Sequence, residues 1–104
     1  MYTVVETAEF RVQAAKVWTD AEREAFIDFI AANPEAGDVI PHTEGARKVR
    51  WAVSGRGKRG GARVIYFNQL DDGLIVLIAI YVKTARENLP SETVRKTKRE
   101  AEKH

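Results

Sequence analysis

Apolar residues recur at helical spacing near the start of the chain. Phe10, Ala14, Val17 and Trp18 follow the i, i+4, i+7, i+8 pattern that places side chains on one face of a helix. The β-branched run at residues 2–6 predicts a short strand ahead of this helix.

A second helix is predicted by its capping signal. Thr19 and Glu22 have the spacing of a capping box, in which each side chain accepts a hydrogen bond from the other residue's backbone N–H. The helix is expected to end near Asn33, because Pro34 disfavours helical backbone at the residue before it. Its predicted buried residues are Ala25, Phe26, Phe29 and Ile30.

Residues 35–44 are predicted to form a loop. Beyond them, the pattern of apolar and polar residues changes to a period of two. Residues 47–53 alternate and residues 62–68 are rich in β-branched and aromatic side chains, so both predict strands. A glycine-rich connection at residues 54–61 separates them, and residues 71–73 form a turn. Residues 74–83 are nearly all apolar, which indicates a central strand buried on both faces.

After Pro90, Ser91 is a plausible N-cap for a polar, basic helix to His104. Its only apolar residues are Val94 and Ala101, so we expect it to be exposed, mobile or dependent on a partner. The order of elements predicts an α+β fold in one domain, residues 1–104. Two N-terminal helices should cover one face of a small antiparallel meander sheet, and the other face should stay partly open.

Charge is distributed unevenly. Residues 1–44 hold nine acidic and three basic side chains, whereas residues 45–104 hold fourteen basic and six acidic ones. This asymmetry in a small domain favours one side that faces a polyanion. No apolar run is long enough for a membrane helix and residues 1–10 do not resemble a signal peptide, so the expected location is cytoplasmic.

The basic residues concentrate in residues 45–66, where no Asp or Glu occurs. They are Arg47, Lys48, Arg50, Arg56, Lys58, Arg59 and Arg63. A solvated face and loop would be the simple interpretation. Against it, Lys48 and Arg50 share one strand face and Arg63 begins the neighbouring strand, outside the core, so the cations are expected to converge on one patch.

Several kinds of site have no candidates in the sequence. There is no cysteine, and His42 and His104 are the only histidines, with no carboxylate cluster near them, so no metal site is expected. The glycine-rich segment lacks the GK[ST] ending of a P-loop. No cofactor is predicted.

Cleavage of RNA by its own 2′-OH suits cationic residues. Arginine stabilises the anionic phosphorane, while a lysine crowded by arginines, or a tyrosine near cations, can transfer a proton. Tyr81 and Lys83 share a face at the end of the central strand and are expected beside Arg63, whereas Tyr66 is expected in the core.

The run GARKVRWA at residues 45–52, followed by SGRGKRGGARVIY at residues 54–66, resembles the RelE/HigB toxins of type II toxin–antitoxin systems, within the RelE/ParE superfamily. NPEAGDVI at residues 33–40 and IYVK at residues 80–83 fit the HigB branch. The resemblance covers roughly residues 3–83. It implies a RelE-like fold, messenger RNA cleavage in the ribosomal A site, and a cognate antitoxin of the helix-turn-helix, HigA-like type that alone contacts operator DNA.

The resemblance also implies residue roles. Lys48 and Arg50 match positions that hold the RNA backbone, and Arg63 matches the arginine that stabilises the transition state. Lys58, Tyr81 and Lys83 match positions for proton transfer or phosphate contact, with the choice of base and acid left open. Arg47, Arg56 and Arg59 complete the expected RNA-binding set.

Two other functions remain open from sequence. The first is a toxin on the same scaffold that acts on another target, such as gyrase, for which the basic patch would be dispensable. The second is a nucleic-acid-binding module without activity, for which alanine at one arginine would weaken binding uniformly.

Overall fold

A computed structural model of the chain describes residues 2–51, 61–82, 94–96 and 98–99. The elements are β1 Thr3–Glu6, α1 Ala8–Val17, α2 Asp20–Ala32, β2 Asp38–Val39, β3 Arg47–Trp51, β4 Ala62–Gln69, a 3-10 turn at Leu70–Asp72, and β5 Leu74–Val82. Residues 94–96 and 98–99 are helical. The strands and helices predicted within these ranges are confirmed, and β2 is an addition to them.

Both N-terminal helices begin at a threonine. Thr7 Oγ1 accepts a hydrogen bond from the Phe10 N–H at 3.2 Å. The predicted capping box at α2 is complete: the Thr19 N–H donates to Glu22 Oε1 at 2.9 Å, and the Glu22 N–H donates to Thr19 Oγ1 at 3.2 Å. Within the described residues, no helix is both long and apolar enough to cross a membrane.

The five strands form one sheet in the order β1-β5-β4-β3-β2. The expected antiparallel meander is present in β3, β4 and β5, but β1 pairs with β5 in parallel, so the sheet is mixed. Short connections force β3, β4 and β5 to alternate in direction. Residues 7–73 separate β1 from its partner β5, so no short turn forces these two strands to run antiparallel.

The predicted loop at residues 35–44 contains the short strand β2. Asp38 pairs with Lys48, and Val39 pairs with Arg47. A two-residue strand has no periodicity that a sequence could show, so the pattern at residues 35–44 gave no sign of it. This pairing covers the outer edge of β3.

Side chains on the two faces of the sheet form separate clusters. The helix-facing cluster is built from α1, α2 and one face of β3, β4 and β5, and includes Phe10, Trp18, Phe26, Ile30, Val64, Tyr66, Ile75, Leu77 and Ile80. The opposite cluster includes Ala46, Ile65, Phe67, Val76, Ile78, Ala79, Tyr81 and Val94. Val94 is 1% exposed, so the helical residues 94–96 cover part of the face that was expected to be open.

A bulge in β5 separates the two halves of that strand. Ile65 of β4 pairs with Ala79 whereas Tyr66 pairs with Leu77, so Ile78 is an extra residue. Residues 75 and 77 face the helices, and strict alternation would turn residue 81 toward them as well. The extra residue reverses the alternation, and Tyr81 therefore lies on the opposite face.

Candidate functional site

One row of side chains crosses three strands on the face opposite the helices. Arg50 of β3 pairs with Arg63 of β4, and Arg63 pairs with Tyr81 of β5. Directly paired residues in antiparallel strands project to the same face with Cα atoms about 4.5–5.5 Å apart. Lys48 lies two residues from Arg50 and shares this face. We call Lys48, Arg50, Arg63 and Tyr81 the cationic row.

The members of the cationic row differ in exposure. Arg50 is exposed and Lys48 half-buried, whereas Arg63 is 4% and Tyr81 8% exposed. The expectation that Arg63 lies outside the core is therefore wrong, because its position at the start of a strand does not keep its side chain at the surface. The guanidinium of Arg63 donates to the Gly61 carbonyl at 3.3 Å.

The pairing of Arg50 with Arg63 sets two positive charges opposite each other. Like charges at directly paired positions destabilise a sheet, by roughly 0.2–1 kcal/mol. A phosphate between two guanidinium groups would reverse this repulsion, since each group can donate two parallel hydrogen bonds to its oxygens. Guanidinium groups and a phenol on one face are the groups that an oxyanion site would need.

Arg47 lies on the other face of the sheet. It pairs with Tyr66 of the helix-facing cluster, its Nη1 donates to the Gly37 carbonyl at 2.7 Å, and its Nη2 lies 3.7 Å from Glu35 Oε2. The structure thus brings Lys48, Arg50 and Arg63 together but not Arg47. Alternation along β3 could have shown this, because Arg47 is in phase with the apolar Val49.

Tyr66 links the segment after α2 to the sheet. Its phenol accepts a hydrogen bond from the Gly37 N–H and donates one to the Pro34 carbonyl, both at 2.9 Å. Asn68 Nδ2 donates to the same carbonyl at 2.8 Å. Burial raises the pKa of Tyr66 above its ordinary value of 10.0, against weaker lowering by the Gly37 hydrogen bond and the Arg47 charge. These contacts tie residues 34–37, which precede β2, to β4.

The substitution Tyr66→Phe is expected to lower the free energy of unfolding by about 1–3 kcal/mol, because it leaves the buried Gly37 N–H without its acceptor. The wild type should also lose stability as the pH rises above the unfolded tyrosine pKa, since the folded state retains the phenol proton that the unfolded state releases. Urea denaturation of both proteins at about pH 8.5 and about pH 11 measures both effects. If the variant loses as much stability between these pH values as the wild type does, Tyr66 does not contribute to the alkaline loss.

The other predicted site residues lie outside the described residues. They are Arg56, Lys58 and Arg59 of the glycine-rich connection, and Lys83 after β5. Their roles in RNA binding and proton transfer stay predictions.

No protein-family model matches the chain. Among solved structures, it is similar to the E. coli toxin RelE in the free state, in a mutant with two arginines replaced by alanine. The two chains are 15% identical, the TM-score is 0.63, and the match covers 93% of this chain and 96% of that chain. At this identity the likeness shows the fold alone. The chain has a RelE-like α+β fold.

Proposed function

We propose that the chain is the toxin of a toxin–antitoxin pair and an endoribonuclease that cleaves messenger RNA. The observation that carries the proposal is the pairing of Arg50, Arg63 and Tyr81 in one row across three strands. The RelE-like fold supports it, because the similar E. coli protein is a toxin. Lys48 extends the row along the path of an RNA backbone.

The reaction is a transesterification within RNA. A base removes the proton of a 2′-OH, the oxygen attacks the adjacent phosphorus, and the 5′-oxygen of the next nucleotide leaves with a proton from an acid. The products are a 2′,3′-cyclic phosphate and a 5′-OH end. We assign stabilisation of the dianionic phosphorane to Arg63, backbone binding to Lys48 and Arg50, and proton transfer to Tyr81 with Lys58 and Lys83.

The same proposal includes the ribosome as a positioning partner. The acid–base groups of the row include no histidine, so the row needs help from positioning of the substrate. Holding the RNA in reactive geometry can lower the activation barrier by several kcal/mol. We therefore propose cleavage in the ribosomal A site, in the cytoplasm, and neutralisation by a helix-turn-helix antitoxin of the HigA type. Operator DNA would be contacted only through that antitoxin.

Mapping of messenger RNA ends tests the proposed reaction. A translating extract that receives the purified chain should accumulate new 5′-OH ends within coding regions, and far fewer when ribosomes are removed. Intact messengers in both extracts, or inhibition of DNA supercoiling at the same concentrations, would contradict the proposed activity.

Two arginines of β3 provide a matched pair for this assay. Arg50→Ala should slow cleavage at least about tenfold, since one charge-assisted contact to a phosphate is worth roughly 1.5–3 kcal/mol. Arg47→Ala removes the same charge from the opposite face and should leave the cleavage rate within about twofold of the wild-type rate. This change is well below the tenfold change that corresponds to 1.4 kcal/mol. Equal losses in the two variants would show that the cationic row is not the RNA site.

A further inference from the structure

The outer edge of β1 carries backbone groups that no described residue pairs with. The Thr3 N–H donates to the Gly73 carbonyl just before β5 at 2.9 Å, and the Thr7 N–H donates to the Leu77 carbonyl of β5 at 3.2 Å. Because alternate residues of a parallel strand bond to the same neighbour, the N–H and C=O groups of Val4 and Glu6 project away from β5. β1 ends the sheet on this side, and within the described ranges no strand lies beyond it.

This edge lies in a cleft of about 610 Å³ between β1, α1 and the start of α2. Trp18 lines the cleft and is 6% exposed, packed between Phe10 and Phe26. Its indole N–H is buried and has no acceptor among the described residues. Because this N–H has almost no accessible surface, an occupant of the cleft would contact other atoms of Trp18.

The charges of the cleft balance. Arg11 and Arg23 are offset by Glu6 and Asp20, and Arg23 Nη1 holds both carboxylate oxygens of Glu6, at 2.6 and 3.0 Å. A phosphate or a free carboxylate would meet these acidic groups as well as the basic ones. A neutral acceptor such as a peptide carbonyl fits better, since it meets no net charge.

From the open edge and the neutral lining, we infer that the cleft binds an extended, uncharged segment of a partner protein. The segment adds a strand along β1, and the N–H and C=O groups of Val4 and Glu6 supply its hydrogen bonds. The four residues of β1 span about 13 Å, enough to pair with four or five residues of the partner. Helices α1 and α2 wall the cleft, which favours one strand over the β1 edge of a second copy with its own helices.

This site is separate from the proposed RNA site. β1 pairs with residues 74–77 at the start of β5, whereas Tyr81 lies near the end of β5 and the arginines lie on β4 and β3. The partner segment can therefore bind whether or not the proposed nuclease activity is correct.

A library of short random peptides, selected against the full chain, tests the inference. Selected peptides should shift the Trp18 indole N–H signal in the NMR spectrum, which Trp18→Phe identifies. Ala15 is exposed and lines the cleft, so Ala15→Arg should fill it and weaken binding at least about tenfold. Val12→Arg makes the same charge change on α1 at an exposed residue outside the cleft lining, and should leave the affinity within about twofold.

Three results would overturn the inference. The first is a selection that enriches no peptide, and the second is a set of peptides that bind the Ala15→Arg and wild-type chains equally or shift only the Trp51 signal. The third is self-association of the free chain that Ala15→Arg abolishes, which would assign the cleft to a second copy.

Discussion

Replacing Arg63 with alanine is expected to lower single-turnover messenger RNA cleavage by roughly 10²- to 10³-fold, the usual loss when one preorganised donor to a developing oxyanion is removed. Arg63 is the central member of the cationic row, paired with Arg50 on one side and Tyr81 on the other. Its burial and its hydrogen bond to the Gly61 carbonyl hold the guanidinium close to its strand, and the low exposure to water would strengthen a contact with a phosphate. Growth arrest on expression should disappear in parallel.

The fold should survive this substitution. The β4 backbone is paired with both β3 and β5, and those pairs do not depend on the residue 63 side chain. Circular dichroism should show native secondary structure for Arg63→Ala. Arg63→Lys is the matched control: it retains the charge but not the two-pronged donor, so an intermediate rate is expected. Full activity of the folded alanine variant would remove Arg63 from the reaction.

Gly37→Ala is expected to lower the stability of the fold, although it adds only one methyl group. A Cβ at this buried position would lie 2.7 Å from the Lys48 carbonyl oxygen, 2.9 Å from the Lys48 carbonyl carbon and 3.1 Å from the Tyr66 ring. The first two neighbours are backbone atoms of β3, so the strand itself must shift. We expect a loss of about 1–3 kcal/mol, as for overpacking elsewhere in protein cores.

Urea denaturation measures this loss as a lower midpoint at an unchanged slope. The shift should also displace β3, and with it Lys48 and Arg50, so cleavage should fall although residue 37 lies on the other face of the sheet. Ala36→Ser is the control, because Ala36 is exposed and its substitution should change stability by less than about 0.5 kcal/mol. A Gly37→Ala midpoint equal to that of the control would contradict the close approach of Gly37 to β3.

Local signals in the sequence predicted most of the fold. The Thr19–Glu22 spacing located the start of α2, and the apolar run at residues 74–83 identified the central strand, because both depend on neighbours in sequence. The parallel pairing of β1 with β5 joins residues about seventy positions apart, and no local pattern specifies such a partner.

The candidate site was predicted only in part, because some of its features follow from local sequence patterns and others from tertiary structure. Alternation placed Lys48 and Arg50 on one face, and the hairpin brought Arg63 beside them. Tyr81 reaches that face through the β5 bulge, which periodicity does not reveal. The burial of Arg63 depends on which parts of the chain pack against the start of β4, and such packing is a tertiary property.

If Arg50 and Arg63 act on one phosphate group, the effects of replacing them depend on each other, and a double-mutant cycle measures this dependence. Single-turnover cleavage in the translating extract is compared for Arg50→Ala, Arg63→Lys and the double variant. The control cycle uses Arg47→Ala in place of Arg50→Ala. We expect a coupling energy above about 0.5 kcal/mol for Arg50 with Arg63, and additive effects for Arg47 with Arg63. Additive effects in both cycles would show that Arg50 and Arg63 act independently.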